Sequence, residues 1–382
     1  MKDPRVLVVG GGIAGLSTAL MMAKNGIEPM VIEAQKDWNI VGSGLTISGP
    51  SFRAIEALGI LQDVSEQGHT HPGIKVHDPE GRFLKTLVSA PIESTGGLVL
   101  PGAGGILRST LHQILIDHLT RLGVHVHMGL QCKTMSQVPV IGSSQTCVQV
   151  TLSDGRALEF DAVVLAEGLF SSSRPTLYPT SNRPSFTGQA CWRVVLPRPS
   201  HVDHRFFYLG GSVKVGLTPV STEQMYLFLL EAIPNHQKRD AVELHVILKN
   251  LLDEFGGELR EIGQTLDQHV PIVYRPLESH LLHEPWHQGA VALVGDAAHA
   301  TTPQLASGAG MAMEDGIVLV EELIRAKDAH QAFGRYFSRR FERCKMVVEN
   351  SLKIGQLEQS QASAAEQAAV VETSLRQLAM PY

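Results

Sequence analysis

Four groups of residues in this 382-residue chain have types and spacings that could do chemistry. The first is Gly10-Gly11-Gly12-Ile13-Ala14-Gly15, a GxGxxG spacing, with Glu33 downstream. Glycines at 10, 12 and 15 permit a tight turn, close approach of backbone to a pyrophosphate, and close helix-on-strand packing. Ile13 and Ala14 would open a helix whose free N–H groups face the phosphates, and Glu33 could accept from ribose hydroxyls. The second group is Gly295-Asp296-Ala297-Ala298-His299, followed by Pro303 and by Gly308-Ala309-Gly310. An aspartate on a strand-end turn can hold a polyol hydroxyl, and a glycine-rich helix start can aim N–H groups at a ligand carbonyl. The third is Ala166-Glu167-Gly168, with Arg174 at a fixed offset. On its own that pattern also describes a loop salt bridge. The fourth is a set of side chains able to stack on, anchor or deprotonate an aromatic ligand: Arg193, Tyr208, Lys214, Tyr226 and Phe228. Of these, Arg193, Tyr208 and Tyr226 are the expected catalytic contacts. His125 and His127 share a strand face but lack a third ligand, so no metal is assigned.

The elements around these residues give them positions. A β-branched run over residues 5–9 leads into the first glycine turn, a helix over Ile13–Lys24 ending at Asn25-Gly26, and a second strand over Pro29–Glu33. This is a βαβ unit, the start of a parallel sheet. Buried strands are expected at 161–166 and 290–294, each closing on a glycine-containing polar turn. All three turns then lie at strand C-termini, where open α/β sheets bind ligands. Residues 186–230 alternate and are rich in aromatics, which reads as antiparallel strands, and 240–255 has apolar residues at helical spacing. The expected organisation is a dinucleotide-binding domain with C-terminal helices over 1–75, 100–178 and 280–382, with a substrate domain over 76–99 and 179–279. The Ala/Gln-rich stretch at about 356–370 reads as a solvated helix.

Composition narrows the function. Hydrophobic residues at 43% and charged residues at 18% describe a globular chain with a sizeable core. Lys plus Arg at 32 against Asp plus Glu at 38 leaves no basic excess for nucleic acid. Cys132, Cys147, Cys191 and Cys344 are far apart with no CxxC pair, which disfavours a disulfide framework or zinc site. Residues 5–23 are nearly uncharged, but three adjacent glycines argue against a signal peptide or a membrane span. A cytoplasmic protein with no stable membrane association is expected.

Together the motifs resemble the single-component FAD-dependent aromatic hydroxylases, the group of para-hydroxybenzoate, salicylate and urate hydroxylases, over nearly the whole chain. The resemblance rests on GGGIAG with Glu33, on Arg108 in Leu-Arg-Ser-Thr-Leu-His, on AEGLFSSSR where the family has ADGxxSxxR, and on GDAAHATTP before a glycine-rich helix start. It implies an α/β fold, a Rossmann-like FAD-binding domain carrying an inserted β-rich (α+β) substrate domain, para-hydroxybenzoate hydroxylase-like. It further implies FAD, with Glu33 on the adenosine ribose, Arg108 near the pyrophosphate and ribityl side, Asp296 on a ribityl hydroxyl, and Pro303 with 308–310 beside the isoalloxazine. NAD(P)H would serve as a transient co-substrate, since only one dinucleotide motif is present. The implied reaction is hydroxylation of a small aromatic or heteroaromatic compound with O2 through a C4a-hydroperoxyflavin, in a monomer or homodimer. The wording around Cys191-Trp192-Arg193-Val194-Val195 is also similar to alkylquinolone hydroxylases and points toward a bicyclic heteroaromatic. A flavin reductase or dehydrogenase without oxygen insertion, and a flavoprotein that sequesters a ligand, stay open as alternatives. The chain departs from the family at Glu167 for Asp and at Ala306-Ser307 for Gly-Gln.

Overall fold

The computed structural model describes residues 4–38, 43–94, 96–139 and 146–382. Its first sheet has six strands in the order Val126–Met128, Pro29–Glu33, Val6–Val9, Ala162–Leu165, Val291–Leu293 and His287–Gln288. The first five are parallel and the last runs antiparallel. Val6–Val9 and Ala162–Leu165 pair in register from Val6↔Ala162 to Val9↔Leu165. Both are buried throughout, as strands covered on both faces must be. Chain order reverses between them, because the strand after Val6–Val9 lies to one side and Ala162–Leu165 to the other. That reversal opens a crevice at the strands' C-terminal ends.

Helix Ile13–Lys24 covers this sheet and packs on helix Gly308–Arg325. The two backbones approach so closely that a Cβ on Gly316 would lie 2.7 Å from the Thr18 nitrogen. A 31-residue helix, Ala329–Gln359, follows, with Asp328 accepting from the Gln331 N–H at its start. The stretch read as one solvated helix over 356–370 is instead the end of this helix, a break, and the start of a second helix over Ala364–Leu378. Gln361 turns the chain at φ 52°, and Ser363 and Glu366 form a capping box that starts the new helix. That helix packs back on its predecessor through buried Ser374, which accepts from Asn350 at 2.9 Å.

The second sheet has seven strands in the order Ile272–Leu281, Ser185–Pro197, Gln224–Ala232, Lys214–Pro219, Arg205–Tyr208, Gly73–His77 and Phe83–Val88. Only the Arg205–Tyr208 and Gly73–His77 pair is parallel. One face, with Trp192, Val194, Phe206, Leu227 and Leu229, packs on helices Leu244–Leu252 and Gly257–Thr265 through a separate hydrophobic core. The opposite face looks toward the crevice of the first sheet. A three-stranded sheet of Gly44–Ser48, Ala103–Leu107 and His69–His71 fills the space between. Among the described residues, no helix is long and apolar enough to cross a membrane.

The Gly316 contact yields a test. Gly316→Ala forces backbone apart at the helix crossing, so urea unfolding should show a loss of about 1–3 kcal/mol; an unchanged midpoint would mean that the two helices separate freely.

Candidate functional site

The first glycine turn is built by backbone crowding. The Gly10 N–H donates to Ile32 O at 2.8 Å, and Gly10 sits at φ 110°, where a Cβ would meet Ala166 O at 2.4 Å. A Cβ on Gly15 would lie 1.9 Å from Gly10 O. These two glycines therefore serve the turn and its packing. Gly12 is different: its Cβ position opens on empty space. The first helical hydrogen bond runs from Leu16 N to Gly12 O at 2.9 Å, so the N–H groups just before Leu16 have no partner within the helix. Free donors beside open space form a cradle that fits a pyrophosphate. Glu33 closes the turn, accepting from Gly11 N and from Gln35 N, each at 2.8 Å. His112 donates to Gly11 O at 2.7 Å, and burial lowers its pKa, which favours the neutral ring.

The second turn is held from beneath. Gly295, at φ 60°, has no room for a side chain, because a Cβ would lie 2.8 Å from that of Ala14. Its N–H donates to Asp315 Oδ2 at 2.8 Å, and His299 Nε2 lies 2.5 Å from the same oxygen. Arg340 Nε donates to Asp315 Oδ1 at 2.8 Å and its Nη1 to Glu314 Oε2 at 2.7 Å. Asp315 and Arg340 are wholly buried. Burial alone would push the Asp315 carboxyl up, but His299 and Arg340 outweigh it and hold the pKa at about 2. Burial opposes the His299 imidazolium in turn, and Asp315 overcomes it, raising that pKa well above 6.5. His299, Asp315 and Cys344 could converge on a metal by residue type, yet the Arg340 guanidinium already fills the space between Asp315 and Cys344. The cluster is an ion network whose job is to fix the turn. Above it Asp296 lines the crevice, where desolvation raises its pKa and His299 and Arg108 offset that push only in part.

The third turn is not a salt bridge between its two charged residues. Glu167 accepts from Ser171 Oγ at 2.6 Å, Ser172 Oγ at 2.8 Å and Ser173 N at 3.1 Å. Arg174 instead donates to Ala297 O at 2.8 Å and Leu169 O at 2.7 Å, tying the third turn to the second.

The three turns border a cleft of about 300 Å³. Gly12, Ile13, Ala14, Arg108, Asp296, Pro303, Gly308 and Ala309 line one side; Arg193, Arg205, Lys214, Tyr226 and Phe228 line the other. Gly310 lies away from it, pressed against Ser51, where a Cβ would come within 2.2 Å of the hydroxyl. Tyr208 also lies elsewhere, which corrects the sequence expectation. On strand Arg205–Tyr208 the alternation sends Arg205 and Phe207 to the cleft side, and Phe206 and Tyr208 into the opposite core beside Phe255. Arg205 takes the place expected of Tyr208. Its guanidinium lies 4.9 Å from the Phe228 ring centroid, and its Nε is buried without a hydrogen-bond partner. The Tyr226 hydroxyl pairs with Thr46 Oγ1 at 2.7 Å. Lys214 ion-pairs with Glu358, whose other oxygen accepts from Gln189 at 3.1 Å and Gln304 at 3.2 Å. Glu358 and Thr46 carry no motif, and they reach the cleft from 144 and 180 residues away in sequence. Arg205 carries no motif either: its strand is four residues long with aromatic or long side chains on both faces, so nothing in the sequence fixes which face meets the cleft. Ala306, where the family has glycine, adopts φ 50°, the left-handed conformation that glycine adopts without strain.

A family model described as FAD binding domain matches residues 3–351. YetM of Bacillus subtilis, provisionally named as an FAD-dependent monooxygenase, is 30% identical over 91% of this chain and 92% of its own. The 2-heptyl-3-hydroxy-4(1H)-quinolone synthase of Pseudomonas aeruginosa is 29% identical over 82% of this chain and 79% of its own. Among solved structures, Klebsiella pneumoniae HpxO with FAD and uric acid superposes with a TM-score of 0.82 at 22% identity, covering 99% of this chain and 93% of that one. The architecture is thus that of the para-hydroxybenzoate hydroxylase-like flavoproteins, and FAD is the cofactor.

Replacing Asp315 by asparagine keeps the shape under the second turn and removes the charge that His299 and Arg340 require. Unfolding of Asp315→Asn should show a loss of about 3–5 kcal/mol near neutral pH. The pH dependence follows from the two shifts. The depressed carboxyl contributes stability above its ordinary value of about 4 and loses it as pH falls toward 2. The raised imidazole contributes fully below about 6.5 and loses stability as pH climbs through its elevated value. The variant should therefore differ most from the parent between about pH 4 and 6.5; a uniform offset across all pH would refute the charge-based account.

Proposed function

Because the chain belongs to the FAD-binding-domain family, we propose that it is an NAD(P)H- and O2-using FAD monooxygenase that hydroxylates an aromatic or heteroaromatic compound carrying an anionic group. The observation that carries this reading is the cleft itself: one wall fits the flavin nucleotide, and the facing wall pairs aromatic rings with Arg205, which has no carboxylate partner among the described residues. A charge enclosed without a counter-ion is costly, and a ligand anion offsets that cost on binding. Relatives named for quinolone synthesis and urate hydroxylation support a bicyclic heteroaromatic.

In this reading Gly12, Ile13 and Ala14 cradle the pyrophosphate, Glu33 meets the adenosine ribose, Arg108 neutralises phosphate charge, and Asp296 accepts from a ribityl hydroxyl. Pro303, Gly308 and Ala309 bound the ring, and the start of helix Gly308–Arg325 favours negative charge there. FAD, once bound, supplies the redox and oxygen chemistry. The protein supplies orientation and dryness. Phe228 and Tyr226 stack on the substrate, Arg205 and Arg193 hold its anion, and Thr46 fixes the Tyr226 hydroxyl so that it can share a proton with a substrate oxygen. The substrate domain of 76–99 and 179–279 would thus serve recognition and the remainder the cofactor.

Three experiments test the proposal. Flavin-loaded protein supplied with NADH or NADPH, ¹⁸O2 and a panel of anionic bicyclic heteroaromatics should yield a product carrying one labelled oxygen atom. NAD(P)H oxidation giving only peroxide across the panel would favour a reductase, and no oxidation at all would favour a sequestering protein. For the compound that turns over, Arg205→Met should raise KM by about 10–100-fold, equivalent to roughly 1.4–2.8 kcal/mol, with smaller effect on an uncharged analogue. An equal change for both would remove Arg205 from anion recognition. The same compound should also accelerate anaerobic flavin reduction at least about tenfold, since an enzyme of this kind gains by reducing flavin only when substrate is present.

A further inference from the structure

Large apolar side chains exposed on this molecule concentrate in one stretch. Phe83, Leu84, Leu87 and Val88 all belong to the strand Phe83–Val88, and Leu98 and Val99 follow on the hairpin of Ile92–Glu93 and Val99–Leu100. Phe83 is 57% exposed, Val88 76% and Val99 70%. Every residue of the strand is exposed, so neither of its faces is covered. It is also the end strand of the seven-stranded sheet, with one row of backbone groups facing outward. Such an edge attracts another strand unless something blunts it. Its single charge, Lys85, and a register shift next to Phe83 and Leu84 are the only blunting devices it carries.

We propose that this edge is the interface of a homodimer in which two copies of the strand pair antiparallel about a two-fold axis, joining the two sheets. The register follows from the chain itself. The Ser89 N–H donates to Pro72 O at 2.8 Å, so along the antiparallel pair Lys85 and Leu87 bond inward, while Thr86 and Val88 turn their N–H and C=O groups to the open edge. Residues directly opposed across an antiparallel pair share a face, and a two-fold axis normal to the sheet then requires opposed residues of equal parity. An axis through Lys85 would set two ammonium groups against each other, which is destabilising. An axis through Thr86 sets Thr86 against Thr86, Leu84 against Val88 and Lys85 against Leu87. The axis through Lys85 would also oppose Phe83 to Leu87, but it centres the new pair on a residue whose backbone groups already bond inward, whereas the axis through Thr86 lets the outward groups of Thr86 exchange both hydrogen bonds. A six-residue strand offers a small interface against the roughly 800 Å² per partner typical of stable complexes. A dimer of micromolar affinity is the expected outcome. This inference does not depend on the reaction proposed above.

Sedimentation velocity on the full FAD-loaded chain at about 50 μM, well above a micromolar Kd, is the test. The parent protein should run as a dimer that dissociates on dilution. Val88→Lys and Leu87→Lys should each run as monomers with flavin content and melting temperature unchanged, since both side chains are already in solvent. Thr86→Cys should form a disulfide-linked dimer under mild oxidation, while the parent protein, with its own Cys132 partly accessible, does not. A monomeric parent, as expected if the patch serves a lipid surface or another protein, overturns the proposal. So does a dimer that survives both lysine substitutions, and a dimer in which Thr86→Cys fails to cross-link overturns the register.

Discussion

The Asp315 carboxylate, sealed from solvent, is the constraint on which the turns around the cleft depend. It accepts from the Gly295 backbone, His299 and Arg340 at once, and through them it joins the turn after Val291–Leu293 to helices Gly308–Arg325 and Ala329–Gln359. An unpaired buried carboxylate would be strongly unfavourable, so each of these partners is obligatory once the carboxylate is in place. The result is a turn whose conformation is set before any ligand arrives. Gly295 then stands against the Ala14 methyl, and Gly10 against the Ala166 backbone, so that all three turns bordering the cleft lock onto one another at positions that leave no room for a Cβ. Pre-set donors and acceptors of this kind save a flexible cofactor site the cost of ordering on binding.

The other side of the cleft is governed by a simpler rule. A β-strand sends alternate side chains to opposite faces, and the second sheet spends one face on its own hydrophobic core. Trp192, Phe206, Tyr208, Leu227 and Leu229 are committed there, which leaves Arg193, Arg205, Lys214, Tyr226 and Phe228 for the cleft. The positive charge of this wall is partly spent. Glu358 neutralises Lys214 from the end of the long helix and at the same time holds Gln304, the neighbour of Pro303. The wall that carries Lys214 and the turn that carries Pro303 are therefore mechanically connected through one carboxylate, whereas the Arg205 Nε is buried without a partner.

Local signals determined much of this protein. The glycine spacing with Glu33, the apolar runs that end in polar turns, and the helix over Ile13–Lys24 are written in contiguous residues, because the steric demands of a βα turn and the burial of parallel strands act over a few positions at a time. The family pattern is legible for the same reason. The tertiary structure alone decided which strand residues face the cleft: Tyr208 and Arg205 lie on one short strand of similar composition on both faces, and only packing against Phe255 settles the parity. It alone supplied Glu358 and Thr46, whose partners are more than a hundred residues distant, and it alone separated Gly12, which faces open space, from Gly10, Gly15 and Gly310, which face backbone or Ser51. Spacing in a sequence records what a residue's neighbours along the chain require; which atoms meet across the cleft is fixed by how independently folded layers stack, and no local pattern encodes that.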